Sequence, residues 1–119
     1  MPTHLSQIRA RNVLAAKANL GPVQGRGGGG NLVKGIPEKI INHGLLAAAA
    51  DAVANHDESR VWIAISAHLA DPEIDLVDPK INNLHDLLSH LVSPEVDSRR
   101  LRLITAETME WLNFARRLI

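Results

Sequence analysis

The chain has no cysteine and no tyrosine. Without cysteine it forms neither a disulfide nor a thiolate metal site, which suits a reducing compartment and sets a cytoplasmic expectation. No apolar run approaches the roughly 20 residues that cross a bilayer as a helix, so no membrane partner is expected. The first residues show no basic stretch followed by an apolar one, and no signal peptide is read there. An excess of charge of either sign is missing too: thirteen basic side chains face thirteen acidic ones. Free-standing nucleic-acid binders are usually basic, so any contact with nucleic acid must be local or shared with partners.

Strand patterning of period two is also absent, and what remains is helical. At 119 residues the chain suits one domain with a single core and no staples. The stretch Gly35–Ala54 reads as the element around which the rest is organised. Pro37 suits the first turn of a helix, and Ile40, Ile41, Leu45 and Leu46 recur at helical spacing. Gly44 either ends a short helix or lets two turns pack closely. The alanines after it form helix readily and let other helices approach.

Around this spine the punctuation cuts the chain into a compact all-α bundle of five to six helices. Residues 3–19 form a first helix, capped by Thr3 or Ser6 and apolar on two sides. Residues 21–31 form a mobile Gly-rich loop. Asp57 caps a helix over 58–69, and 71–78 is an acidic ordered loop. Asp78-Pro79 opens a helix ending near Leu91, and Asp97 or Ser98 caps a long last helix. On that helix Leu101, Ile104, Thr108, Trp111, Leu112, Ala115 and Ile119 share the side that faces the core. Leu103 and Phe114 lie off that side, with Glu107 and Glu110 between them. An apolar pair so placed is either plain surface or a subunit contact.

No catalytic or metal pattern survives inspection. Gly25, Gly27 and Gly30 satisfy the dinucleotide-binding glycine spacing, but no strand precedes them and no βαβ unit surrounds them. No Gly-Lys-Ser/Thr follows, which removes the phosphate-loop reading. The acids of 71–78 lack the glycine and terminal glutamate of an EF-hand. None of the six histidines pairs at the i, i+4 spacing of helical zinc ligands, and they read as surface or capping residues. No serine sits in a nucleophile elbow. The expectation is a non-enzyme with no catalytic residue, no metal and no cofactor.

The basic residues are distributed more tellingly. Arg9, Arg11 and Lys17 are the charges of the first helix, with no acid among them: a solvated face or a phosphate contact. Arg26 is the charge of the Gly-rich loop. On the last helix Arg99, Arg102, Asn113, Arg116 and Arg117 lie broadly opposite the core side. From Arg99 to Arg117 the axial rise is about 27 Å, enough to track several nucleotides of backbone. Arg116 and Arg117 have a plainer explanation as well, since cations stabilise a helix C-terminus.

Three separated blocks, Gln7–Ala10, Ile36–Leu45 and Arg102–Glu107 with Trp111–Arg117, resemble the small helical subunit of the Cmr-type, type III-B CRISPR RNA-silencing complex. Gln7-Ile8-Arg9-Ala10 is similar to that family's glutamine, spacer, arginine, alanine opening. Ile36-Pro37-Glu38-Lys39-Ile40-Ile41-Asn42-His43-Gly44-Leu45 resembles its central leucine-proline, isoleucine, asparagine-glycine-leucine spine. Arg102-Leu103-Ile104-Thr105-Ala106-Glu107, followed by Trp111-Leu112-Asn113-Phe114-Ala115-Arg116-Arg117, resembles its threonine-x-glutamate helix and tryptophan-leucine-basic terminus.

The resemblance implies a non-catalytic subunit in antiviral defence that stacks in a few copies along a ribonucleoprotein. Its partners would be copies of itself, the backbone and large CRISPR effector subunits, and the target and guide RNA. Base reading would fall to the guide, leaving this subunit to feel backbone and shape. The candidate RNA-contacting residues are Arg9, Lys17, Arg26, Lys39, Arg99, Arg102, Arg116 and Arg117. The alternatives are a helical adaptor or regulatory module that touches no RNA and, behind it, a small hydrolase whose site the sequence does not display.

Overall fold

The computed structural model describes residues 4–20 and 29–118. Among the described residues there are six helices and no strand: α1 (Leu5–Leu20), α2 (Gly29–His43), α3 (Leu45–Val53), α4 (His56–Ala70), α5 (Leu84–Leu91) and α6 (Ser98–Leu118). One hydrophobic core, running from Val13 to Ala115, joins all six. The expected all-α bundle is the fold that forms.

Its centre is α4, which packs against each of the other five helices. The alanine run points instead to Gly35–Ala54, and the difference has a physical cause. Ala48, Ala49 and Ala52 are buried and let α3 approach closely, but each brings little apolar area. Val61, Trp62, Ile65 and Leu69 of α4 are fully buried. Burying one large aliphatic or aromatic side chain contributes about 1.5–3 kcal/mol, so these residues gather the bundle.

Pro37 stands inside α2, not in its first turn. Val33, Ile36 and Ile40 are all buried at three- and four-residue spacing, so helical turns are needed ahead of the proline. A mid-helix proline costs about 3 kcal/mol, which burial of this stripe offsets. Gly29, Gly30 and Asn31, expected in the Gly-rich loop, belong to α2, and residues 21–28, Arg26 included, lie outside the described residues. Gly44 ends α2 with a φ of 88°. A Cβ there would meet nothing within 4 Å, so the glycine serves the turn and not a close approach.

Two helix starts differ from expectation. Asn55, not Asp57, caps α4: its side chain accepts from the amides of Asp57 and Glu58, each at 3.1 Å. Asp57 then lies in the first turn, where an anion suits the helix dipole. Asn83, not Asp78, caps α5, accepting from the Asp86 amide at 2.9 Å. Asp78 instead closes a tight turn on the Lys80 amide, at 2.9 Å. Its pairing with Pro79 mimics a helix start, but the chain must bend again to bury Ile81. In the first helix, Ser6 lies within α1, and the Gln7 side chain reaches back to the His4 amide at 3.0 Å.

The acidic loop of 71–78 is ordered, as expected. The amides of Ile74 and Asp75 both donate to the Asp71 carbonyl at 2.8 Å, and those of Leu76 and Val77 to the Leu69 carbonyl at 3.3 Å. These bonds satisfy carbonyls left open by the end of α4. They also set the loop beside the start of α1 and the middle of α6.

Candidate nucleic-acid interface

The last helix carries the site, and its start is set locally. Asp97 accepts from the Arg100 amide at 2.8 Å as N-cap. Thr105 and Thr108 return their hydroxyls to the carbonyls of Leu101 and Ile104, at 2.7 and 2.8 Å. Ile104, Thr108, Trp111, Leu112 and Ala115 are buried as expected. The outer flank is charged: Arg99, Arg102, Asn113, Arg116 and Arg117 are all exposed.

Glu107 departs from the expected surface position, because it is buried. Arg9 clamps it with two bonds, Nε to Oε2 at 2.8 Å and Nη2 to Oε1 at 2.7 Å. His68 sits against the same carboxylate, Nε2 to Oε2, at 2.8 Å. Burial alone would raise the Glu107 pKa. The bonds from Arg9 and His68 outweigh it and bring it from 4.5 down to about 2.

His68 is 1% exposed and so corrects the reading of the histidines as surface or capping residues. Its tautomer follows from its neighbours. Asn12 Nδ2 lies 3.0 Å from Asp71 Oδ2 and 2.9 Å from His68 Nδ1. A carboxylate only accepts, so the amide nitrogen of Asn12 faces both groups and donates one hydrogen to each. His68 Nδ1 therefore accepts, and Nε2–H donates to Glu107. Both ring nitrogens are thus engaged, and the side chain is buried.

Asp71 also accepts from Arg11 Nη2 at 3.1 Å and, through Oδ1, from the Glu73 amide at 2.9 Å. Burial pushes its pKa up, but these donors and Asn12 leave it below the usual carboxylate value. The chain of contacts Arg9–Glu107–His68–Asn12–Asp71–Arg11 thus ties α1, α4, α6 and the acidic loop into one knot.

The candidate cations now separate. Arg9 is engaged by Glu107 and lies 3.8 Å from Glu110. Lys39 donates to the buried Glu58 and ties α2 to α4. Arg11 bridges Asp71 and Glu73 on the surface. Lys17, Arg99, Arg102, Arg116 and Arg117 are exposed and have no carboxylate partner among the described residues. Leu5 lies beside Leu103 in one groove and Arg9 on Glu107, so the order of contacts runs the same way along α1 and α6. This directs the last turn of α1, with Lys17, toward the end of α6 that holds Arg116 and Arg117. The arrangement offers two clusters of free cations about 21 Å apart, taken from Arg102 to Arg116 along the axis.

Sequence reasoning missed Glu107 and His68 as partners. The available signal was an acid at the border of the core side of an amphipathic helix, together with a first helix whose charges are all basic. Arg9 and Glu107 belong to two of the three blocks that carry the family resemblance, and the fold brings these blocks into contact.

Comparison with curated proteins and with solved structures gives no match. A family model described as CRISPR-associated protein (Cas_Cmr5) matches residues 5–119, which takes in every helix, the Arg9–Glu107 pair and all four arginines of the outer flank. The chain belongs to that family of CRISPR-associated, Cmr-type proteins.

Proposed function

We propose that the chain is a non-catalytic small subunit of a type III-B CRISPR ribonucleoprotein. It stacks in several copies beside the backbone and large subunits and holds target RNA against the guide RNA in antiviral defence. The observation that carries the RNA part is the placement of Arg99 and Arg102. The first turn of α6 contains no acid and holds Arg99 and Arg100, and Arg102 follows directly after it. Cations at a helix N-terminus oppose the macrodipole, typically by 0.3–1 kcal/mol each, so local stability does not account for them. A phosphate backbone does, because the guanidinium fork grips phosphate oxygens with two donors. Arg116, Arg117 and Lys17 extend the track. Arg9 and Lys39 enter the reading with their charge already matched, and act mainly by fixing the helices.

The non-catalytic part rests on membership of the Cmr-type family. No helix among those residues is long and apolar enough to cross a membrane.

The test is the salt dependence of target-RNA binding by the assembled complex, with and without Arg99→Ala/Arg102→Ala. The expected result is weaker binding irrespective of sequence, with the slope of log K against log salt lowered by roughly 0.7 per lost contact on a single strand. Normal assembly with an unchanged slope overturns the assignment. It would leave a helical adaptor that touches no RNA through this face.

A further inference from the structure

Beside the arginine track lies a groove of different character. Leu5 of α1 and Leu103 of α6 form its walls, 44% and 51% exposed. Ile74 and Leu76 of the acidic loop, both half-buried, close its far side. Its volume is about 410 Å³, and the Arg9–Glu107 pair lines its depth. Glu73 and Glu110 stand on the rim. Acids outnumber cations here: Glu73 and Asp71 share Arg11, each at 3.1 Å, and Glu110 lies 3.8 Å from an Arg9 already clamped by Glu107.

Four aliphatic side chains thus surround an open space whose edge is net negative. An RNA backbone is repelled by that edge, although the arginines of the same helix lie a turn away. A partner side chain that is aliphatic satisfies the walls, and a neighbouring cation satisfies the rim. Apolar surface of this kind, rimmed by polar residues, marks interaction sites. We infer that the groove between α1, α6 and the acidic loop docks a segment of a different subunit, one that presents an aliphatic side chain beside a lysine or arginine. This rests on the reading of the chain as a subunit of a ribonucleoprotein and adds a protein-facing flank to the RNA-facing one.

The absence of cysteine makes the test direct. Ala106 is exposed and lines the groove. Ala106→Cys would carry a photo-crosslinker on the molecule's one thiol. The complex is assembled from the remaining subunits, guide RNA and this variant, irradiated before target RNA is added, and digested for mass spectrometry. The expected crosslink falls on a different subunit, within a few residues of an aliphatic side chain next to a lysine or arginine. A crosslink confined to another copy of this chain, a crosslink to RNA, or no crosslink overturns the proposal.

Leu103→Asp supplies a second readout. It should reduce incorporation into the complex at least tenfold while the helical circular dichroism stays that of the parent. Ile41→Asp, at an exposed position on α2, should incorporate normally. Wild-type incorporation of Leu103→Asp overturns the docking site. Because incorporation is read before target RNA is present, that failure is distinct from an unchanged salt slope in the arginine variant.

Discussion

Along its inner flank α6 holds a carboxylate with its partners around it; along its outer flank it holds arginines with none among the described residues. Glu107 is buried under Arg9 and His68. Arg99, Arg102, Arg116 and Arg117 are exposed, with no carboxylate partner among the described residues. Both flanks look alike as a list of charges. They differ in what desolvation demands: a buried charge must be matched inside the protein, whereas an exposed one is left for whatever comes from outside. The inner flank therefore concerns stability and the outer flank concerns binding, and substitutions on each should move different observables.

The largest effect is expected from Arg9→Ala, which leaves Glu107 buried without its clamp. Stranding one partner of a buried pair costs about 3–5 kcal/mol, readable by urea unfolding. Adding Glu107→Gln should recover part of the loss, since glutamine still accepts from His68 without a stranded charge. A single-variant loss below about 1 kcal/mol would erase the distinction between the flanks.

Two adjacent residues offer a sharper version. Ile104 is fully buried and Leu103 is 51% exposed. Truncation of Ile104 to alanine should cost roughly 2–5 kcal/mol, and the same change at Leu103 under about 1 kcal/mol. Equal losses would mean that Leu103 is covered within the monomer, and the docking groove with it.

Acid should act on the inner flank. The folded-state pKa of Glu107 is depressed from 4.5 to about 2. Its contribution is therefore complete above about pH 4.5 and disappears as the pH falls toward 2, a loss on the order of 3 kcal/mol. Asp71, depressed as well, adds in the same direction. Glu107→Gln should flatten this part of the stability–pH curve, and an unaltered curve would place the acid sensitivity elsewhere.

The smallest effect on stability belongs to Arg99→Ala/Arg102→Ala. The change should lie within about 0.5 kcal/mol, with a stabilising sign because the Arg99 cation leaves the positive end of α6. Thermal unfolding measures it. A clear destabilisation would mean that these arginines serve the fold, weakening their assignment to RNA.

Much of this was legible before any coordinates. The apolar spacing of α6 announced Ile104, Thr108, Trp111, Leu112 and Ala115 as inward, because a regular helix projects its side chains at fixed angles. The arginines opposite followed from the same wheel. The helix starts at Asn55 and Asn83 were less legible, since Asp57 and Asp78-Pro79 compete with the same chemistry within a few residues. Glu107 was harder still. Its burial depends on Arg9 and His68, which lie far away in the chain, and no local pattern reports them.

By itself the amino-acid sequence determined the fold class, the segmentation into helices, the face each long helix turns inward and the outward position of the α6 arginines. These follow from local spacing and from backbone constraints at glycine, proline and capping residues. Only the tertiary structure decided that α4 is the hub, that carboxylates hold Arg9 and Lys39 but, among the described residues, none holds Arg99, Arg102, Arg116 or Arg117, and that Leu5 and Leu103 share an acid-rimmed groove. Those outcomes depend on which surfaces meet when the core closes: desolvation forces charges that meet inside to pair and leaves those outside without a partner.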